Sequence, residues 1–142
     1  MSNIHASCVC WQKKGILLLG ASGSGKSDLS LRLIQEYGAV LVADDRVDLN
    51  VSHETIYASA PLSLKSMLEV RGVGIVKAPS IERCPINIVV ELVSNDEKIE
   101  RLPENNFWNY GEIQVPLLRL HAFEASIIHK IIVALSWSKL IK

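Results

Sequence analysis

Gly20, Ala21, Ser22, Gly23, Ser24, Gly25, Lys26 and Ser27 match the pattern G-x-x-x-x-G-K-[ST] without interruption, a set of phosphate-handling groups at fixed spacing. Its glycines let the backbone turn its N–H groups inward around a di- or triphosphate, and the following helix N-terminus favours negative charge. In this pattern Lys26 reaches the β- and γ-phosphates and the Ser27 hydroxyl ligates Mg²⁺. ATP and Mg²⁺ are the ligands this chemistry implies.

Transfer needs more than a cradle, and the adjacent carboxylates Asp44 and Asp45 are the leading candidates to supply it. They close an apolar run at residues 39–43, where an acidic residue suits a Walker-B-like role beside Mg²⁺. Neighbouring side chains in an extended segment diverge, so one carboxylate can face the metal while the other faces an acceptor hydroxyl. Asp44 is favoured as the general base and Asp45 as the metal-side group, although adjacency alone does not separate them. A solvated acidic turn is the structural alternative.

Glu69 and Arg71 sit two apart before Gly72 and Gly74. In an extended segment both would aim at one side, the carboxylate completing a Mg²⁺ shell and the guanidinium neutralising a transferred phosphoryl group. A surface ion pair is the plainer reading. His5 lies 15 residues before the loop, where an imidazole could tune a nearby carboxylate. Arg101, in a polar stretch, could close over a phosphate or be a solvated charge. His5, Cys8 and Cys10 do not make a zinc site, because on a strand both cysteines face away from His5 and a fourth ligand is lacking.

Elements that would position these groups are legible in outline. The octet follows a short apolar run at 15–19 and precedes an apolar-periodic segment ending at Gly38, the strand–loop–helix order that a phosphate loop requires. Residues 4–11 and the polar turn at 12–15 suggest an N-terminal hairpin, and 47–58 a second hairpin around residues 50–54. Pro61 ends it, and 62–68 reads as one or two helical turns. Residues 86–92 and 113–120 read as strands, 94–110 as an exposed excursion, and 122–140 as a final helix.

The chain has 142 residues, 49% hydrophobic and 21% charged, with 15 basic and 15 acidic side chains. That length suits one domain over residues 1–142, and the cancelled charge gives no global field toward nucleic acid or an anionic membrane. No apolar stretch has the length of a membrane span and no signal-peptide pattern is present, so a cytoplasmic protein is expected. Three cysteines form no disulfide framework.

Several separated segments resemble, in order, the catalytic domain of the HPr kinase/phosphorylase family. They are His5 in Ile-His, the octet, Leu-Val-Ala-Asp-Asp-Arg-Val-Asp-Leu at 41–49, Ala60-Pro61, and Leu-Glu-Val-Arg-Gly-Val-Gly-Ile at 68–75. The resemblance implies an ATP-dependent kinase acting on a seryl residue of the phosphocarrier HPr. It also implies a hexamer, Glu69 as a second metal ligand, one of Asp44 and Asp45 as general base with His5 beside it, and Arg101 as a catalytic arginine. The implied fold is an α/β P-loop kinase domain with a central mixed sheet, edge β-hairpins and a C-terminal helix.

The chain resembles a short form, with four residues before His5. In the family, reversal of the reaction depends on a proline-repeat loop with a Gly-Arg-Asn-like segment. The corresponding stretch, 115–124, has one proline and no glycine, so the kinase direction is the expectation. Two rival classes are a small-molecule kinase, which needs an arginine-bearing lid and closed acceptor pocket, and a non-catalytic nucleotide sensor. The Asp-Asp and Glu-Val-Arg-Gly-Val-Gly segments disfavour the first.

Overall fold

The apolar run before the octet forms β3 (Lys14–Leu19), and the octet leads into α1 (Lys26–Tyr37), which stops at Gly38 in the left-handed conformation with φ 71°. The computed structural model describes residues 2–139. β2 (Ser7–Trp11) folds back on β3 through Gln12 and Lys13, whose φ values of 48° and 65° give the primed turn that matches strand twist. β4 (Val40–Ala43) pairs antiparallel with β2, and β9 (Arg83–Val93) pairs parallel with β3. Hence β3, β4 and β9 run one way and β2 runs the other. The start of β2 and the ends of β3 and β4 meet at one end of the sheet.

The remaining strands extend this frame. β1 (Ser2–His5), β5 (Arg46–Ser52) and β6 (Thr55–Ser59) form an antiparallel set, with β6 pairing Arg83 to Pro85 of β9. β11 (Ile113–His121) pairs parallel with Val89 to Val93 on the same edge of β9, and β10 (Asn106–Tyr110) covers β11. One edge of β9 thus serves two partners in succession. A separate two-stranded sheet holds β7 (Met67–Val70) and β8 (Gly74–Lys77), and α2 (Ile127–Ser136) closes the chain.

Alternation along the central strands fills two cores. Val9, Ile16, Leu18, Ile88 and Val90 face α1 and α2, meeting Leu29, Leu33, Ile127 and Ile131. Cys8, Cys10, Leu17 and Val89 face the other way, meeting Leu49, Ile56 and Cys84. Burying such side chains stabilises by about 1.5–3 kcal/mol each. Gly15 is required where β3 meets β9, since a Cβ there would stand 2.2 Å from the Pro85 carbonyl oxygen. The three thiols are free and buried, and burial pushes Cys8 and Cys84 well above the usual thiol range.

Some boundaries differ from the sequence expectations. The second hairpin turns on two residues, His53 and Glu54, both at positive φ, rather than on five. Residues 62–64 make a single 3₁₀ turn, and β7 follows at once because Leu68 is drawn into the core. The polar excursion ends in β10, where Trp108 and Tyr110 stack at 5.7 Å between ring centroids on the core side.

The final helix spans Ile127–Ser136 instead of 122–140. Residues 122–126 form a turn tied to α1 by Arg32, whose Nη2 donates to the Ala122 carbonyl at 2.5 Å. At the other end Trp137 is extended, and Leu140 lies outside the described residues. Among the described residues no helix is long and apolar enough to cross a membrane.

Candidate active site

Strand directions bring the start of β2, the loop after β3 and the end of β4 into one cleft of about 570 Å³, a volume suited to a small-molecule site. Asp44, 6% exposed, is its buried anchor. Its Oδ1 accepts from Ser27 Oγ at 2.7 Å and from Ser7 Oγ at 2.9 Å, and its Oδ2 accepts from the Glu69 backbone N–H at 3.3 Å. Three donors on a buried carboxylate fix its orientation.

Asp45 points elsewhere. Its φ of 70° places it in the left-handed region, which aspartate tolerates better than most residues. The Arg46 N–H closes the turn onto the Asp44 carbonyl at 2.8 Å. The Asp45 side chain stays 69% exposed, and His5 Nε2 donates to its Oδ1 at 3.1 Å. The divergence expected of neighbouring side chains is therefore present, but in the reverse sense. Asp44, not Asp45, sits on Ser27, and Asp45, not Asp44, stands exposed at the cleft mouth. The left-handed turn decides this by swinging the second carboxylate outward.

Lys26 is nearly buried, and its Nζ donates to the Gly20 and Ala21 carbonyls at 2.8 and 3.0 Å. Burial lowers its pKa from the usual lysine value, while Asp45 and Asp44 oppose that shift. Ser22, Gly23 and Gly25 line the cleft beside it. Ser24 donates its N–H to Ala21, and its hydroxyl is buried without a partner among the described residues. Such an orphaned polar atom inside a phosphate loop fits an anion-binding cradle.

The oxygen set of Ser27 and Asp44 fits Mg²⁺, which takes one or two protein oxygens and completes its octahedron with water and phosphate. Among the described residues no group of three or more His, Cys, Asp or Glu gathers for a metal. The arrangement therefore suits a metal shared with a nucleotide more than one caged by protein.

Glu69 and Arg71 both line the cleft. Glu69 lies on β7, whereas Arg71 stands just past it, in the turn closed by Val73 N–H to the Val70 carbonyl at 2.9 Å. The turn rather than strand alternation brings Arg71 to the site. Arg101 is exposed between β9 and β10 and is not among the cleft-lining residues, so its expected place over a phosphate is not met. The segment leaves β9 at the loop's end of the sheet, where His121 Nε2 donates to its Glu97 carbonyl at 2.7 Å, yet Arg101 stands outside the cleft lining. Two residues escaped the sequence reading. A fully buried serine in an apolar strand, two positions from His5, is the signal that would have found Ser7. Phe123 lines the cleft from the turn misread as helix.

Comparison with known proteins bears on this geometry. A family model described as HPr Serine kinase C-terminal domain matches residues 1–141. HPr kinase/phosphorylase of Lactobacillus acidophilus is 39% identical over 105 residues, covering 68% of this chain and 32% of that protein. The protein of the same name from Mycoplasmopsis pulmonis is 33% identical over 128 residues, covering 82% and 41%. The chain thus spans about a third of the length of the first of these curated relatives.

Among solved structures, the HPr(Ser) kinase/phosphatase from Coxiella burnetii superposes with a TM-score of 0.82 at 23% identity, over 94% of this chain and 95% of that one. That likeness establishes the α/β P-loop kinase fold, with its curled mixed sheet and two helices. The match over nearly the whole chain settles the family: this protein belongs to the HPr Serine kinase C-terminal domain family.

Proposed function

We propose that this chain, as one catalytic domain, transfers the γ-phosphoryl group of ATP to a seryl hydroxyl of HPr. The observation that carries this is the split of the carboxylate pair: Asp44 is buried on Ser27, while Asp45 stands exposed at the cleft mouth on His5. A base for a serine presented by another protein must be reachable from outside. A small-molecule kinase would need an enclosed acceptor pocket instead.

In this reading the loop N–H groups and Lys26 bind the phosphates, and Ser27 with Asp44 holds Mg²⁺, Glu69 adding a second carboxylate. The metal supplies charge neutralisation on the phosphate oxygens. Asp45 accepts the acceptor serine's proton as the serine oxygen bonds to the γ-phosphorus and the bond to the bridging oxygen breaks, releasing ADP. His5 fixes the Asp45 carboxylate through its Nε2–H, and Arg71 faces the developing charge from the β7–β8 turn. Assembly as a homo-oligomer, a hexamer by likeness to the family, and a cytoplasmic location belong to the same reading.

The test is transfer of radiolabelled γ-phosphate to purified HPr. Label on a HPr serine supports the proposal. Label on a metabolite or label left on the nucleotide rejects it in favour of a small-molecule kinase or a nucleotide sensor. Glu69→Gln should raise the Mg²⁺ concentration for half-maximal transfer about tenfold or more, with little change in melting temperature, because a charged ligand is lost while volume is kept. Titrating Mg²⁺ at fixed ATP measures this. Equal losses of stability and activity would assign Glu69 to structure.

A further inference from the structure

Strand order separates the cleft into two flanks. On one side of β3 lie β2 and β4, which deliver Ser7, Asp44 and Asp45, and on the other lie β9 and then β11. Because β11 is parallel to β9 and β9 to β3, β11 also ends where the loop departs. Two residues beyond it stands Phe123, which lines the cleft with 63% of its surface exposed.

The ring is not a stray surface residue. It abuts the loop so closely that a Cβ on Gly25 would come within 3.0 Å of Phe123 Cζ. Its turn is bound to the loop's own helix, since Arg32 donates to the Ala122 carbonyl and is itself held by Asp28 at 3.0 Å. Ala122 is buried, and the Glu124 N–H returns to the His121 carbonyl at 3.3 Å. A large aromatic is thus fixed beside a phosphate loop with a face left open. A polyphosphate whose terminal group points toward the carboxylates sends its nucleoside toward the other flank, where this ring stands.

We infer that Phe123 is the platform on which the base of the bound nucleotide stacks, an inference that rests on the nucleotide-binding part of the proposed function. Stacking reads the π-face of a base rather than its hydrogen-bonding edge, so the platform accepts adenine and guanine alike.

The experiment is calorimetric titration of the full chain with Mg-ATP and, separately, with Mg-tripolyphosphate, which has phosphates and no base. Phe123→Ala should weaken ATP binding about tenfold and leave tripolyphosphate binding unchanged. Phe123→Tyr should restore ATP affinity. Unchanged ATP affinity in Phe123→Ala overturns the inference. So does equal weakening of both ligands, which would mean that the ring merely shapes the loop through Gly25. Phosphoryl transfer by the same preparations keeps the two readings apart. A chain that binds ATP with the expected Phe123 dependence but labels no HPr loses the kinase reading and keeps the platform. A wild-type chain that binds neither ligand loses both.

Discussion

Lys26→Met should abolish phosphoryl transfer, lowering kcat/KM by about a thousandfold or more, while far-UV circular dichroism stays unchanged. The ammonium is the one cation the loop itself carries, and it is held nearly buried by the Gly20 and Ala21 carbonyls. Methionine keeps the stem's volume and removes the charge. Leaving those two carbonyls unpaired costs about 1–3 kcal/mol at most positions, so a lower melting temperature is expected alongside an intact fold. Radiolabel transfer to HPr at saturating Mg-ATP measures the effect. A variant retaining a tenth of wild-type activity would remove the phosphate loop from the chemistry.

The carboxylate pair should separate under asparagine substitution. Asp45→Asn is expected to lower kcat by about 10²- to 10⁴-fold while Mg-ATP still binds, because proton acceptance is lost at an exposed position that holds no loop residue. Asp44→Asn should instead weaken Mg-ATP binding, since the lost charge sits on Ser27. Stability should respond unequally as well. Asp45 makes one half-exposed pair, a type worth about 0–1 kcal/mol, whereas Asp44 is buried among three donors. Calorimetric binding beside single-turnover transfer distinguishes the two. Wild-type transfer by both variants would move the base elsewhere, and exchanged phenotypes would return the base to Asp44.

The phosphate loop with its flanking strand and helix was legible because it depends on short-range pattern, whereas the gathering of His5, Glu69 and Arg71 around the aspartates is long-range and was implied by the resemblance to the family. The octet fixes its own local geometry, and apolar alternation marks the strands that carry the rest. The assignment of the two aspartates was not legible. It turns on the sign of φ at Asp45, which no neighbouring glycine announces. Ser7 was missed because its role depends on β2 lying between β3 and β4, a pairing across 37 residues for the bond to Asp44. The false extension of α2 had a related cause: Ala122 and Phe123 have helical periodicity with Ile127 and Ile131, yet tertiary contacts from Arg32 and Gly25 claim them first. Arg101 was drawn in by likeness of a short triplet, and local identity says little about where a long polar segment travels.

The forked pairing of β9 bears on the order in which this molecule can assemble. The residues of the octet, the carboxylate pair, Glu69 and Arg71 are all synthesised before residue 72, whereas the strand that flanks β3 on its other side begins at Arg83. Until β9 arrives, β3 is the open edge of a three-stranded β3–β2–β4 sheet, with one side of its backbone ladder unpaired. The nascent chain would therefore hold every proposed phosphate-handling group in the cleft before it holds the scaffold that arranges them. Closing that long loop to dock β9 is the kind of non-local step that slows folding. Competence to bind nucleotide would arise late, as the last half of the sequence locks the first.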